Sequence, residues 1–125
     1  MKILLIDDDD FLRDMYATKF SERGHTVEVA QDAEKGADLL REKAFDAVLM
    51  DMIMPGMTGI ELLNVIQSEH IGGDAVCVVL SNQASDEEVT AATAAGADGY
   101  IIKAESIPSE VVTKVEDIVS KVTKE

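Results

Sequence analysis

The chain has 125 residues, 46% of them hydrophobic, with only 8 glycines and 2 prolines, so it can bury one sizeable core and is too apolar for disorder. Its formal net charge of -14, from 25 acids against 11 bases, argues against nucleic acid or an anionic membrane as a direct partner. The lone cysteine, Cys77, rules out an intrachain disulfide and a zinc cluster, and the first apolar run is too short for a signal peptide or a membrane span, so a cytoplasmic protein is expected.

Short apolar runs recur along the chain, at residues 3–6, 26–30, 47–50, 75–80 and 100–102. Four of the five are continuous rather than alternating, the pattern of strands covered on both faces in a parallel sheet. Between them lie stripes of helical period. Leu12, Met15, Tyr16 and Phe20 form the first, Ala33, Gly36, Ala37 and Leu40 the second. Leu62, Val65 and Ile66 form a third, and Val111, Val115, Ile118 and Val122 the last. Thr58 with Glu61, and Ser85 with Glu88, have the spacing of capping boxes, while Gly24 and Gly96 fall where helices should stop. The order β-α repeated five times predicts one α/β domain over residues 1–125. With right-handed crossovers it becomes a doubly wound five-stranded parallel sheet of flavodoxin-like order 2-1-3-4-5, helices on both faces.

Polar residues follow these runs in register. Asp7 and Asp8 end the first, Asp51 the third, Ser81 the fourth and Lys103 the fifth. In a parallel sheet all of them reach the carboxyl edge, where open α/β folds place their sites. Three carboxylates with one lysine fall short of charge balance, and oxygen-only ligands suit Mg²⁺. Such a metal beside a carboxylate and a lysine forms a phosphoryl-transfer site, and the carboxylate can itself be the nucleophile.

These stretches resemble the receiver domain of two-component response regulators, over essentially the whole chain. "LLIDDDDFLR" is similar to the family's acidic motif, with Arg13 fixing the alignment. "VLMDMIMPGMTG" resembles the phosphoacceptor motif, "VVLSN" the hydroxyl switch, and "GADGYIIK" the aromatic switch and lysine. The resemblance implies that Asp51 accepts a phosphoryl group from a histidine kinase, a phosphotransfer protein or a small donor such as acetyl phosphate. It implies that Asp8, Asp51 and the Ile53 carbonyl bind Mg²⁺ directly and Asp7 through water. Lys103 and Ser81 would hold the phosphoryl oxygens. Tyr100 would swing inward, altering the face of the fourth helix, fifth strand and fifth helix toward an unknown protein target or a phosphorylation-dependent homodimer. Ile53 and Gln83 would flank the path of the attacking water. Two positions depart from the pattern: Ala104 replaces the usual proline, so a trans bond is expected there, and Asn82 replaces a smaller residue and is expected to crowd the pocket.

Other residues carry plainer expectations. Asp9 and Asp10 read as a helix start. Met50, Met52, Met54 and Met57 read as adaptable packing, Cys77 as an inert core thiol, and His25 and His70 as solvated or paired with helix ends. Competing functions are a pseudo-receiver that binds partners without phosphorylation, or a fragment of a longer regulator. A haloacid-dehalogenase-type phosphatase wants an acid where Ile53 stands, and a dinucleotide enzyme wants a Gly-rich loop after the first strand.

Overall fold

The computed structural model describes residues 1–82 and 85–123. Five strands, β1 (Lys2–Ile6), β2 (Thr26–Ala30), β3 (Ala47–Asp51), β4 (Val76–Ser81) and β5 (Gly99–Ile102), alternate with α1 (Asp10–Glu22), α2 (Ala33–Glu42), α3 (Gly59–Glu69), α4 (Asp86–Ala94) and α5 (Pro108–Thr123). A short 3₁₀ turn, Lys103–Glu105, joins β5 to α5. The strands are all parallel, in the expected order β2-β1-β3-β4-β5.

Alternation along continuous apolar strands divides the core into two layers. Leu4, Ile6, Val48, Met50, Cys77 and Val79 face α2 and α3, with Ala92 from α4. Ile3, Leu5, Leu49, Val78, Leu80 and Ile101 face the other way, onto Tyr16 and Phe20 of α1 and the valines of α5. β1, β3 and β4 are thus buried on both sides, while β2 forms one edge and is more open.

The helix ends follow from local chemistry. Asp9 caps α1, accepting a hydrogen bond from the Leu12 N–H at 3.0 Å, and Asp10 supplies an acid to the first turn. Thr58 and Glu61 form the complete capping box of α3. At α4, Ser85 accepts from the Glu88 N–H, but the Glu88 carboxylate accepts from the Tyr100 hydroxyl instead. Gly24, at φ +86°, takes the left-handed conformation that lets the His25 N–H return to the Phe20 carbonyl and close α1.

Three expectations are corrected. The buried stripe of α5 is Val111, Val112, Val115 and Val119, with Val122 exposed. A helix lying in the groove beside a sheet buries a stripe wider than one row, so Val112 and Val119 enter, while Val122 shares the face of Val111 and Val115 but stands in the last turn of the helix, where it is exposed. Leu63 likewise joins Leu62 in the α3 interface. His25 is neither solvated nor paired with its own helix end. The Met1 ammonium donates to its Nδ1 at 3.0 Å, so Nε2 carries the proton and donates to Glu116 at 2.7 Å, where Arg23 also binds. These bonds tie the α1–β2 turn to α5. His70 stands as an exposed left-handed cap of α3. No peptide bond among the described residues is cis, that of Ala104 included. None of the described helices is long and apolar enough to cross a membrane.

One close approach connects this packing to the carboxyl edge of the sheet. Gly59, the first residue of α3, donates its N–H to the Met52 carbonyl at 2.8 Å. A Cβ there would lie 2.8 Å from the Asp51 carbonyl oxygen and 3.1 Å from the Met52 Cα. Both neighbours are backbone, so neither can rotate away. Gly59→Ala is expected to destabilise the chain by about 1–3 kcal/mol in urea unfolding, the usual cost of overpacking. An unchanged midpoint and slope would show that α3 can slide without strain.

Candidate functional site

Sheet register levels the acidic edge. Ile6 pairs with Met50, so the residues that follow, Asp7 and Asp51, lie side by side. Ser81 pairs with Ile102, which puts Lys103 one step beyond it. Met50 is fully buried, and Met52 and Met54 are 7% and 6% exposed within the α2–α3 core layer. Met57 packs against the same layer. The methionine sulfurs thus belong to packing, and the donor atoms at the edge are oxygens.

Asp7 is 1% exposed and held at every polar atom. Its N–H donates to the Ala30 carbonyl, and its carbonyl accepts from Arg13 Nη1 at 3.2 Å. One carboxylate oxygen accepts from the Asp9 N–H at 2.9 Å, the other from Lys103 Nζ at 3.0 Å. Lys103 also reaches the Asp51 carboxylate at 3.3 Å. Asp8 is exposed at the rim. Asp7, Asp8 and Asp51 each offer a carboxylate oxygen, all within 4.8 Å of one another. An open cavity of about 370 Å³ lies over Asp8 and Asp51, lined also by Asp9, Ile53, Ser81, Glu88 and Lys103.

Electrostatics at this edge are set first by burial. Desolvation raises the Asp51 pKa above the ordinary carboxylate value; the Lys103 charge opposes this, the Asp7 charge reinforces it, and hydrogen bonds from Lys103 and the Ile53 N–H oppose it again. For Lys103, burial alone would lower the pKa, but the Asp7 hydrogen bond and the two carboxylate charges outweigh it, and the net shift is upward. The donor set fits a hard divalent cation: three carboxylates against one ammonium leave unbalanced negative charge, and every available donor is oxygen. Asp7 already holds Lys103 and a backbone N–H, leaving Asp8 and Asp51 as the more open carboxylates.

Ser81 is 5% exposed at the end of β4. Tyr100, partly buried on β5, has Ser81 within hydrogen-bonding reach and donates its hydroxyl to Glu88 at 3.2 Å; burial leads the causes that raise its pKa. Ile53 is 76% exposed, so its side chain stands open at the cavity. Asn82 is an exposed part of the lining rather than a plug, because β4 has ended and its side chain meets solvent. Gln83 lies outside the described residues. Cys77 is buried and its pKa is pushed up to about 12, chiefly by desolvation, which keeps the thiol protonated and inert.

Sequence reasoning brought Asp7, Asp8, Asp51, Ser81 and Lys103 to one edge, and the structure brings them together. It missed Glu88 as a neighbour of Tyr100, since the capping-box spacing gave that side chain another use. It also gave Tyr16 only as a core residue. Burial raises the Tyr16 pKa most, and the charges of Lys103, Asp7 and Asp51 are all felt at its phenol, so it packs beneath the site.

A doubly wound parallel sheet with three carboxylates and a paired lysine at its carboxyl edge defines an α/β module with an acidic site at the strand ends. The family model described as the response regulator receiver domain matches residues 3–116. Response regulator MprA of Mycolicibacterium vanbaalenii is 36% identical over 103 residues, covering 82% of this chain and 44% of that protein. Two-component response regulator PhoP of Pseudomonas aeruginosa is 31% identical over 103 residues, covering 82% and 45%. A CheY-like receiver domain protein from Methanospirillum hungatei superposes with a TM-score of 0.88 at 28% identity, over 98% of this chain and 96% of that one. The chain belongs to the response-regulator receiver family. It spans less than half the length of the curated relatives it matches.

The raised Asp51 pKa makes metal-free stability depend on pH. The unfolded carboxyl titrates near ~3.9. Between that value and the higher folded one, the folded state holds more protons, so stability falls as pH rises through the window and stays lower at neutral pH. In EDTA, Asp51→Asn is expected to remove this part of the fall and to be more stable than the parent at pH 7. Paired urea titrations from pH 4 to 7 make the check, the charge of -14 acting on both proteins almost equally. Parallel curves, with no gain at pH 7, would refute the assignment.

Proposed function

We propose that the chain is a phosphorylation-controlled signalling switch whose phosphoacceptor is Asp51. The observation that carries this reading is Asp51 itself: half-buried at the end of β3, 3.3 Å from Lys103 Nζ, and within 4.8 Å of two further carboxylates. An Asp51 oxygen would attack the phosphorus of a phosphohistidine on a histidine kinase or phosphotransfer protein, or of an acyl phosphate. The new P–O bond forms as the P–N or P–O bond to the donor breaks, and the donor imidazole or carboxylate leaves with the bonding electron pair. Asp8, Asp51 and the Ile53 carbonyl would hold Mg²⁺, with Asp7 acting through water. When bound, that ion would neutralise charge on the phosphoryl oxygens.

The chain's own residues supply the rest. Lys103, already turned toward Asp51, would exchange its carboxylate partner for a phosphoryl oxygen. Ser81 would donate its hydroxyl to another. Tyr100, between Ser81 and Glu88, would carry the change to the face built from α4, β5 and α5, where a downstream protein or a second copy would read it. The chain is a phosphoacceptor domain rather than an enzyme with a turned-over external substrate, and it would act in the cytoplasm. The kinship supports this reading, since the named relatives are response regulators. The alternative is a pseudo-receiver that engages partners without phosphorylation.

Incubation with acetyl phosphate and Mg²⁺ is expected to add one phosphoryl group by intact mass to the parent and none to Asp51→Ala. An unmodified parent would favour the pseudo-receiver, and a modified Ala variant would place the phosphoacceptor elsewhere. A second measurement concerns lifetime. The open Ile53 side chain is apolar and cannot orient a water, so the phosphorylated chain is expected to be long-lived, and Ile53→Asn to hydrolyse faster. Loss of radiolabel at an equal or slower rate in that variant would count against the water path.

A further inference from the structure

We propose that Arg13 is a positioning residue for the acidic site, fixing the peptide that joins Asp7 to Asp8 and thereby the aim of the Asp8 carboxylate. The proposal rests on the reading of this site as a divalent-cation site. The peptide in question carries the Asp7 carbonyl, and Arg13 Nη1 donates to that oxygen at 3.2 Å. On the other side of Asp7, the sheet fixes the preceding peptide, because the Asp7 N–H donates to the Ala30 carbonyl at 3.2 Å. Lys103 and the Asp9 N–H fix the Asp7 side chain. Asp8 is exposed and has no comparable anchor of its own among the described residues. Where its carboxylate points therefore depends on the two peptides that flank it: the Asp9 N–H ties the following one to the Asp7 carboxylate, and Arg13 holds the preceding one.

The guanidinium is built in at a cost that surface pairing does not explain. Its side chain is only 13% exposed. Nη2 meets the exposed Asp10 carboxylate at 2.8 Å, and the Arg13 N–H donates to the Asp9 carbonyl in the first turn of α1. Yet Nε is buried without a hydrogen-bond partner among the described residues, 3.9 Å from Asp14. A guanidinium free to optimise its own ion pairs would turn Nε toward Asp14. Here the fork is set by the Asp7 carbonyl and Asp10, and Nε is left unpaired. Bridging a main-chain carbonyl and a carboxylate from one planar fork is something arginine does and lysine does not.

Charge and position make opposite demands, which gives the test its sign. As a cation near the site, Arg13 opposes metal binding, so its loss should tighten Mg²⁺ by Coulomb's law alone. As an anchor of the Asp7–Asp8 peptide it favours binding, and loss of an outer partner of a ligand weakens metal affinity by about tenfold or more. Mg²⁺ binding to the whole chain is measured by titration calorimetry, with urea unfolding in EDTA as the check on folding. Arg13→Gln is expected to bind about tenfold more weakly than the parent. Arg13→Lys keeps the charge and is also expected to bind more weakly, a result that neither a charge effect nor a loss of fold would give if its unfolding midpoint in EDTA matches the parent's. Equal or tighter binding in a folded variant would overturn the proposal; if the Gln variant does not fold, the Lys variant decides. A parent that binds no Mg²⁺ would overturn the cation reading, and the Arg13 proposal with it, and that outcome is distinguishable because it appears before any substitution is made.

Discussion

Everything at the carboxyl edge depends on one ammonium shared between two carboxylates. Lys103 Nζ lies 3.0 Å from Asp7 and 3.3 Å from Asp51, and its side chain is only 7% exposed. Loss of both carboxylates would leave a buried ammonium uncompensated, whereas loss of Asp51 alone leaves Asp7 at 3.0 Å to balance it. The arrangement is held in place less by its own attraction than by the sheet. β1, β3 and β5 deliver the three groups in register, and a slip of one residue in any strand would turn every apolar side chain of that strand to the wrong layer. The core thus enforces a charge geometry that water would otherwise dissolve.

The same constraint explains why the fold was legible from sequence. Continuous apolar runs and helical stripes are repeated signals, and both core layers select them. The strand ends were legible for a related reason, since a carboxylate, hydroxyl or ammonium placed directly after a buried run has only the sheet edge to occupy. Less visible were contacts made by a single side chain. Nothing in the spacing of His25 announces that it accepts from the Met1 ammonium and also reaches Glu116, 91 residues further along the chain. Glu88 satisfied a local capping pattern and was used elsewhere. On α5 the period was right and its width was not, because sequence periodicity marks the middle of a buried stripe better than its margins.

The row of four aspartates does not act as one charged cluster. In the fold, Asp9 caps α1 at the rim of the cavity, and Asp10 pairs with Arg13. Asp7 is neutralised by Lys103 and a backbone N–H. For Asp51 the strongest influence is then loss of water, and the Asp7 charge acts more weakly than either burial or Lys103. Crowding in sequence does not translate directly into repulsion in space, because the chain turns between neighbours and brings a cation from 96 residues away.

This balance bears on how a switch could be built from so few groups. Two conformations of a receiver need differ by only a few kcal/mol for a ligand or a covalent charge to exchange their populations. The helix nearest the site on the proposed output face is weakly tied to the body. Of α4, only Ala92 is buried, and its Glu88 is linked to β5 through the Tyr100 hydroxyl. Small alanine contacts and one hydrogen bond cost little to rearrange, whereas β3 and β4 beside them are locked by fully buried residues. On the proposed reading, a change of charge at Asp51 would meet a rigid floor and a loosely held wall, and the response would run along Ser81, Tyr100 and Glu88 toward α4 rather than into the sheet.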